Sequence, residues 1–307
     1  MNFTLTILGS GAALPTARRK PTSHYVVCND RHILIDCGEG TQTQCRKFSV
    51  KLQRISVILI SHLHGDHFFG LIGLLSSMHL LGREKKLLIC GPKGLEEIIQ
   101  LQLKLSGTRL NYEVDFLETN PKRSEVIFED NKLSVSTIPL NHRIATTGFL
   151  IREKPRERKL LVELAKADHV PIACYATLKS GADAYSDTGE RFSFETYTLP
   201  GAKTRSYAYC SDTAYMESIV DLIKGVDVLY HEATFLSSER DRAIKTYHST
   251  AEQAAKIANQ AEVKQLIIGH LSARYDDGDA HDAEARLFFD AVQVAYDGMQ
   301  VQIGPLY

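Results

Sequence analysis

Four side chains that can bind a metal lie within six positions of this sequence, directly after the apolar run 55–60. They are His62, His64, Asp66 and His67. Neutral imidazole nitrogen and carboxylate oxygen are ligands of zinc and similar divalent ions. In an extended loop His62 and His64 point to the same side, and Gly65 permits a sharp turn before Asp66 and His67. The spacing predicts two adjacent metal ions rather than one.

Four residues cannot complete the shells of two ions, so distant parts of the chain must supply further ligands. His142, Asp212 and His270 each follow a predicted strand, and α/β sheets place ligand sites at the carboxyl ends of strands. Because a carboxylate has two oxygens and can bridge two ions, Asp212 is predicted to be shared. The predicted sets are His62, His64, His142 and Asp212 for one ion, and Asp66, His67, His270 and Asp212 for the other.

Two such ions would make the site a hydrolase centre. Ions about 3.5–4 Å apart share a water, lower its pKa towards neutrality and offset charge on a phosphoryl or carbonyl oxygen. The structural alternative is a group of ordinary buried histidines. Three histidines and an aspartate in fixed register favour the metal site, but they leave the substrate of the hydrolase open.

The elements that must position these residues alternate between strands and helices in both halves of the chain, which predicts a layered α/β fold. A capping box, Thr250-Ala-Glu-Gln253, opens a predicted helix that runs to about residue 261. A further helix is expected at 218–224. The predicted strands that precede site residues are 55–60, 206–210, 227–231 and 265–269.

Composition limits the possible partners. The chain has 307 residues, 44% hydrophobic and 24% charged residues, and a net charge of −1. A nucleic acid would therefore have to be held by a local basic patch. No apolar run approaches the roughly 20 residues of a membrane span, and we find neither a leader nor a C-x-x-C pair among six cysteines. A cytoplasmic protein without membrane contact is predicted.

One segment, 152–182, interrupts the alternation of strands and helices. Six basic and three acidic residues lie between positions 152 and 166, and a basic helix is expected over 156–166. Charge alone leaves two interpretations open. The segment is either a solvated helix face or an inserted arm that contacts a polyanion.

Several blocks of the sequence resemble the metallo-β-lactamase superfamily and, within it, the ribonuclease Z family of tRNA 3′-processing endonucleases. The H-x-H-x-D-H pattern at 62–67 is the superfamily signature, and the resemblance extends over nearly the whole chain. The other similar blocks are LGSGAALP at 8–15, LIDCGEGTQ at 34–42, HEATF at 231–235, HST at 248–250 and HLSARY at 270–275.

This resemblance implies a single domain over residues 1–307, a four-layer αββα sandwich, two zinc ions per subunit (manganese or iron being possible) and a homodimer. The implied reaction is removal of the 3′ trailer from precursor tRNA. Asp66 would accept a proton from the attacking water, and His248 with Glu232 would assist the leaving oxygen. Ser272 and Arg274 would contact phosphate, whereas His231 is expected to be structural.

The segment 152–182 lies where the family carries its tRNA-binding arm. Its expected contacts with tRNA are Arg156, Arg158, Lys159 and Lys166. The sequence departs from the family here, because Val170-Pro171 stands where bacterial members usually carry a Gly-Pro element.

Two other functions are considered. A small-molecule phosphodiesterase or arylsulfatase of the same fold would need no basic arm. A binding subunit with an inactive site fits poorly, because every predicted ligand is present.

Overall fold

Two seven-stranded sheets form most of the computed structural model of the chain, which describes residues 2–275 and 277–304. The first, the N-terminal sheet, has parallel strands on one side and antiparallel strands on the other. Its strands, in spatial order, are Gln300–Gln302, Phe3–Gly9, Ser23–Cys28, Arg31–Ile35, Ile55–Leu59, Leu87–Gly91 and Val114–Glu118.

The second, the C-terminal sheet, begins with four parallel strands and continues with antiparallel ones. Its strands, in spatial order, are Val292–Val294, Leu266–Gly269, Val228–Glu232, Ser206–Cys210, Thr147–Glu153, Leu133–Pro139 and Val126–Glu129. A short parallel pair, Gly11–Ala12 with Leu271–Ser272, lies outside both sheets. Parallel strands bring several carboxyl ends to one edge, where the predicted site residues follow.

Alternating side chains explain how the sheets are layered. In the strand Ser206–Cys210, Tyr207 and Tyr209 join an apolar core to which both sheets contribute. Ala208 and Cys210 join a different core on the outer face. Successive side chains of a strand point to opposite faces, so both faces of the sheet are buried. With helices over the outer faces, the order of layers is helix, sheet, sheet, helix, and the predicted α/β sandwich is confirmed.

Helices accompany both sheets, and none among residues 2–275 and 277–304 is long and apolar enough to cross a bilayer. The predicted capping box is present, since Thr250 Oγ1 accepts a hydrogen bond from Gln253 N and the Gln253 side chain accepts one from Thr250 N. The α-helices of the sandwich are Thr41–Lys47, Gly65–Phe68, Leu71–Leu80, Leu95–Leu105, Arg240–Thr246, Ala251–Gln260 and Asp279–Arg286. Its 3₁₀ segments are Leu52–Arg54, Glu217–Ile219 and Ser237–Glu239.

The helix predicted over 218–224 is wrong. A 3₁₀ segment, Glu217–Ile219, and turns occupy this stretch. Gly225 then adopts a left-handed conformation with φ of 67°. An α-helix this short forms only where tertiary packing favours it, as at Thr41–Lys47 and Arg240–Thr246, whereas the packing here favours turns.

Residues 153–204 form a second compact unit, named the arm. The remaining described residues, up to Arg152 and from Arg205 to residue 304, form the other of the two units, the sandwich. The arm has its own small core of Ala165, Val170, Cys174, Leu178, Ala184 and Phe192. Its elements are the strand pair Lys159–Leu160 and Thr198–Leu199, the pair Ala184–Tyr185 and Arg191–Phe192, the helices Val162–Ala167, Tyr175–Lys179 and Phe194–Tyr197, and the 3₁₀ segment Ile172–Cys174.

The arm differs from the sequence-based expectation in two respects. It continues to Thr204, beyond the predicted segment 152–182. The continuous basic helix expected over 156–166 is wrong, because Lys159–Leu160 pairs as a strand and the helix begins only at Val162. Over 153–204 the sequence has eight basic and eight acidic residues, so the arm as a whole carries no net positive charge.

Excising the arm is expected to leave a folded sandwich. Arg152 lies opposite Ser206 in an antiparallel pair, so a three-residue hairpin loop, an inserted Asn-Gly followed by Arg205, can join Arg152 to Ser206 in place of residues 153–204. The variant should unfold in one cooperative transition, measured by circular dichroism beside the full chain. A broad transition or an insoluble product would show that the sandwich needs the arm to fold.

Candidate active site

A cavity of about 490 Å³ lies at the carboxyl ends of the parallel strands of the sandwich. Several predicted site residues face it, together with backbone and side chains of neighbouring loops. The residues that line it are Ala12, Ala13, His64, Gly65, Asp66, His142, Arg143, Asp212, Thr234, Phe235, Arg242, Thr246, His248, His270, Ser272 and Arg274.

The first predicted ligand set converges at one end of this cavity. His64 Nδ1 lies 3.0 Å from His62 Nε2 and 3.2 Å from His142 Nε2. Asp212 Oδ2 lies 3.5 Å from His62 Nε2 and 3.7 Å from His142 Nε2. One ligand atom from each of the four side chains fits within 4.8 Å of the others.

The second set converges beside the first and shares Asp212. Asp212 Oδ1 lies 3.0 Å from His270 Nε2 and 3.2 Å from His67 Nε2. Asp66 Oδ2 lies 3.5 Å and 3.4 Å from the same two nitrogens. Asp212 therefore presents one oxygen to each group of imidazoles, which is the arrangement of a bridging carboxylate.

In two rings of the first set, outer hydrogen bonds fix which nitrogen carries a proton. Ser61 Oγ donates to Asp36 Oδ2 (2.8 Å) and so accepts from His62 Nδ1 (3.0 Å). His142 Nδ1 donates to the carbonyl oxygen of Tyr247 (2.9 Å). By this hydrogen-bond network, both rings present unprotonated Nε2 atoms.

The second set is oriented in the same way. Asp36 Oδ2 accepts from His67 Nδ1 (2.7 Å). Thr234 Oγ1 donates to Glu232 (2.6 Å) and accepts from His270 Nδ1 (3.0 Å). Lone pairs that face one another at about 3 Å repel unless a cation lies between them. The donor set therefore fits divalent metal ions.

Charges in the cluster also favour a cation. Burial alone would raise the pKa of Asp212, but the imidazoles of His270, His67 and His62 lower it well below its usual value. Burial opposes protonation of His270 as well, yet Asp212 and Asp66 raise its pKa to about 10. These carboxylates thus attract positive charge into a buried site.

The backbone at the strand ends is unusual. Asp36, Asp212 and His270 have positive φ angles of 56°, 55° and 58°. Residues with a Cβ rarely adopt this left-handed region, which costs on the order of 1 kcal/mol or more. All three residues follow strand ends, where the side chain of Asp36 meets His67 and that of Asp212 meets His270.

A histidine–carboxylate pair adjoins the second set. His248 Nδ1 donates to Glu232 Oε1 at 2.7 Å. Glu232 is fully buried and also accepts from Thr213 N (2.8 Å), Thr234 N (3.1 Å) and Thr234 Oγ1 (2.6 Å). Burial disfavours the charged imidazole, but Glu232 raises the pKa of His248. The pair is thus held rigidly at the wall of the cavity.

Basic residues line the cavity near both ligand sets. Ser272 and Arg274 follow His270, and Arg274 lies 3.6 Å from Glu239. Arg143 follows His142, and its Nη2 donates to the carbonyl oxygen of Lys245 (3.2 Å). Arg242 lies over the ring of Phe235 at 5.8 Å. Sequence reasoning missed Arg143 and Arg242, although an arginine directly after a predicted ligand is a usable signal.

The four basic residues predicted for the arm lie in the second unit. Arg156 pairs with Glu153, and Lys166 with Glu163. Arg158 Nε donates to Thr198 Oγ1 (2.6 Å), and its guanidinium lies over a phenylalanine ring. Lys159 is exposed on its strand. Three of the four thus make contacts inside the arm itself.

Comparisons with known proteins agree with this geometry. The chain matches the family model described as Anti-Pycsar protein Apyc1 over residues 3–163 and the Beta-lactamase superfamily domain over 170–271. It is 44% identical over 302 residues to a ribonuclease Z of Parabacteroides distasonis, covering 98% of this chain and 99% of that one. A ribonuclease Z of Bacteroides thetaiotaomicron is 46% identical, covering 98% and 95%. The chain belongs to the ribonuclease Z family.

A solved structure supports the same relationship. The crystal structure of human tRNase Z, short form, aligns with a TM-score of 0.69 at 28% identity, covering 98% of this chain and all of that one. The resemblance stated from the sequence blocks is therefore confirmed over nearly the whole chain. The ligand roles within this ribonuclease Z family member stay predictions.

Replacing Asp212 by Asn should weaken both metal positions, because the bridging charge is lost while the shape is retained. We expect metal affinity to fall by more than about 100-fold, since even outer partners of ligands contribute 10- to 100-fold. Elemental analysis after dialysis measures this effect. Asp227→Asn is the matched control, because buried Asp227 bonds Ser206 at the opposite end of these strands. Full metal content in Asp212→Asn would contradict the bridging role.

Proposed function

We propose that the chain is a zinc-dependent endoribonuclease that removes the 3′ trailer from precursor tRNA, with two Zn²⁺ ions per subunit. The observation that carries the proposal is Asp212, with one oxygen toward each of two imidazole sets, beside the rigid His248–Glu232 pair. Near full-length identity of 44–46% to proteins named ribonuclease Z supports the substrate. Manganese or iron in place of zinc, the homodimer and the cytoplasmic location remain predictions.

The bound metals would supply an activated water and offset charge on the scissile phosphate. His62, His64, His142 and Asp212 would hold one ion, and Asp66, His67, His270 and Asp212 the other. Asp66 faces the cavity. In the proposal its carboxylate accepts the proton of the attacking water.

His248 is proposed to assist departure of the leaving oxygen. Its Nδ1 is committed to Glu232, so Nε2 is the nitrogen left to act on substrate. Glu232 cannot turn away because backbone and side-chain donors hold both of its oxygens. A histidine with a fixed carboxylate partner is suited to donate a proton near neutral pH.

Two groups of residues are proposed to hold the RNA backbone. Ser272 and Arg274 adjoin the metal set that contains His270, whereas Arg143 adjoins the set that contains His142. Arg242 lies on the cavity wall between Phe235 and solvent. Phosphate contacts of this kind position a nucleic acid without reading its sequence.

The arm is proposed to contact tRNA outside the cleavage site through Arg156, Arg158, Lys159 and Lys166. Because the arm has balanced charge and internal ion pairs, the proposed contact is expected to depend on the shape of the arm and on these four side chains rather than on net positive charge. The Val170-Pro171 sequence replaces the usual family element, so the contact need not match that of relatives.

The arm-excised variant separates this function from a small-molecule phosphodiesterase of the same fold. The full chain and the variant are assayed with a precursor tRNA and with bis-p-nitrophenyl phosphate. Because the small ester has no RNA backbone for the arm to bind, cleavage of precursor tRNA should fall sharply while the small ester is hydrolysed as before. Equal cleavage of precursor tRNA by both proteins would contradict the role of the arm, and activity toward the ester alone would favour the alternative function.

His248→Ala should lower the turnover number for precursor tRNA by roughly 100-fold or more while leaving the metal content unchanged. The loss matches the usual contribution of a general acid, and the residue is not in either proposed ligand set. Single-turnover cleavage and elemental analysis test the two parts. Loss of metal would show that His248 is a ligand instead.

Arg242→Gln should raise the KM for precursor tRNA and reduce the salt dependence of binding by about one unit of slope. Arg240→Gln is the matched control on the same helix, because Arg240 is already paired with Glu252 at 2.7 Å and does not line the cavity. Binding is measured at several salt concentrations. Equal slopes for both variants would exclude a phosphate contact by Arg242.

A further inference from the structure

A buried carboxylate beneath the site collects four hydrogen bonds. Asp36 has no exposed surface. Its Oδ1 accepts from Ser61 N (2.7 Å), and its Oδ2 accepts from Ser61 Oγ (2.8 Å), His67 Nδ1 (2.7 Å) and Tyr209 Oη (2.6 Å). Three donors on one oxygen fix the plane of the carboxylate, and this plane fixes the ring of His67.

Tyr209 supplies the one donor that comes from the other sheet. It lies on the strand Ser206–Cys210 and is fully buried. Its ring stacks on that of Tyr230, with centroids 5.3 Å apart and an interplanar angle of 7°. The phenol is thereby aimed at Asp36 from a rigid support. Tyr209 makes no hydrogen bond to the proposed ligands themselves, and its hydrogen bond to Asp36 connects it to His67.

We propose that Tyr209 is a positioning residue that, through Asp36 and His67, sets the affinity of the metal position formed by Asp66, His67, His270 and Asp212. The inference rests on the proposed role of His67 as a ligand. Without the phenol, Oδ2 of Asp36 is freer to turn toward Ser61, and His67 loses a fixed orientation. Groups that hydrogen-bond to a metal ligand contribute about 10- to 100-fold to metal affinity. A group one hydrogen bond farther from the metal should contribute an amount near the lower end of this range.

Tyr207 provides a matched control two residues away. It is equally buried on the same face of the same strand. Its hydroxyl bonds His24 Nδ1 at 2.8 Å, and it makes no hydrogen bond to Asp36. Tyr207→Phe therefore removes a buried phenol hydroxyl from the same core without removing a hydrogen bond of the proposed relay.

The test is a zinc titration of the metal-free full chain against a chromogenic chelator. Tyr209→Phe should weaken one of two zinc affinities by about tenfold, and Tyr207→Phe should change neither. Two further variants, each lacking a ligand of one metal position, show which position Tyr209 affects. In a His64→Ala background, which retains the second ligand set, Tyr209→Phe should weaken zinc binding. In a His270→Ala background, which retains the first set, it should have no effect. Thermal unfolding of each metal-free variant checks that it is folded.

Unchanged zinc affinities in Tyr209→Phe would overturn the proposal. Equal weakening by Tyr207→Phe would also overturn it, because the cause would then be general packing. A change confined to the His270→Ala background would show that Tyr209 acts on the other metal position, and this result would also contradict the proposal. If the unsubstituted chain binds no zinc, the metal assignment itself fails, and that result is distinct from failure of the role of Tyr209.

Discussion

The site depends on the position of one carboxylate. Asp212 lies beyond the end of a central parallel strand, and its two oxygens face two groups of imidazoles at 3.0–3.7 Å. A buried carboxylate without positive partners would be costly. The imidazoles around it are oriented by outer hydrogen bonds, and the backbone at the strand ends is left-handed. Both features hold the Asp212 carboxylate in a position where it can contact two cations.

The two sheets contribute different parts of the site, which explains why the ligands are so far apart in sequence. The N-terminal sheet supplies the loop with His62, His64, Asp66 and His67. The C-terminal sheet supplies Asp212, Glu232 and His270 from neighbouring parallel strands. The hydrogen bond between Asp36 and Tyr209 joins the two sheets under the metal site. The packing of the sandwich therefore affects the geometry of the ligands.

Much of this was predictable from the sequence. The apolar strands could be recognised from their composition, and polar residues that follow the ends of parallel strands lie at a common edge of the sheet. This rule predicted Asp212 and His270 as ligands. The full order of the layers and the roles of His248 and Glu232 were predicted only from the resemblance to the ribonuclease Z family. Contacts such as Tyr209 with Asp36 span 173 residues and depend on which strand face meets which, so no local pattern indicates them. The helix expected at 156–166 failed because tertiary pairing of Lys159–Leu160 overrode its helical composition.

The most direct measurement maps the cut made in an end-labelled precursor tRNA, with and without a metal chelator. We expect a single internal cut that releases the 3′ trailer in one piece, abolished by the chelator and restored by added Zn²⁺. Stepwise removal of single nucleotides, or cleavage that persists when the metals are removed, would contradict it.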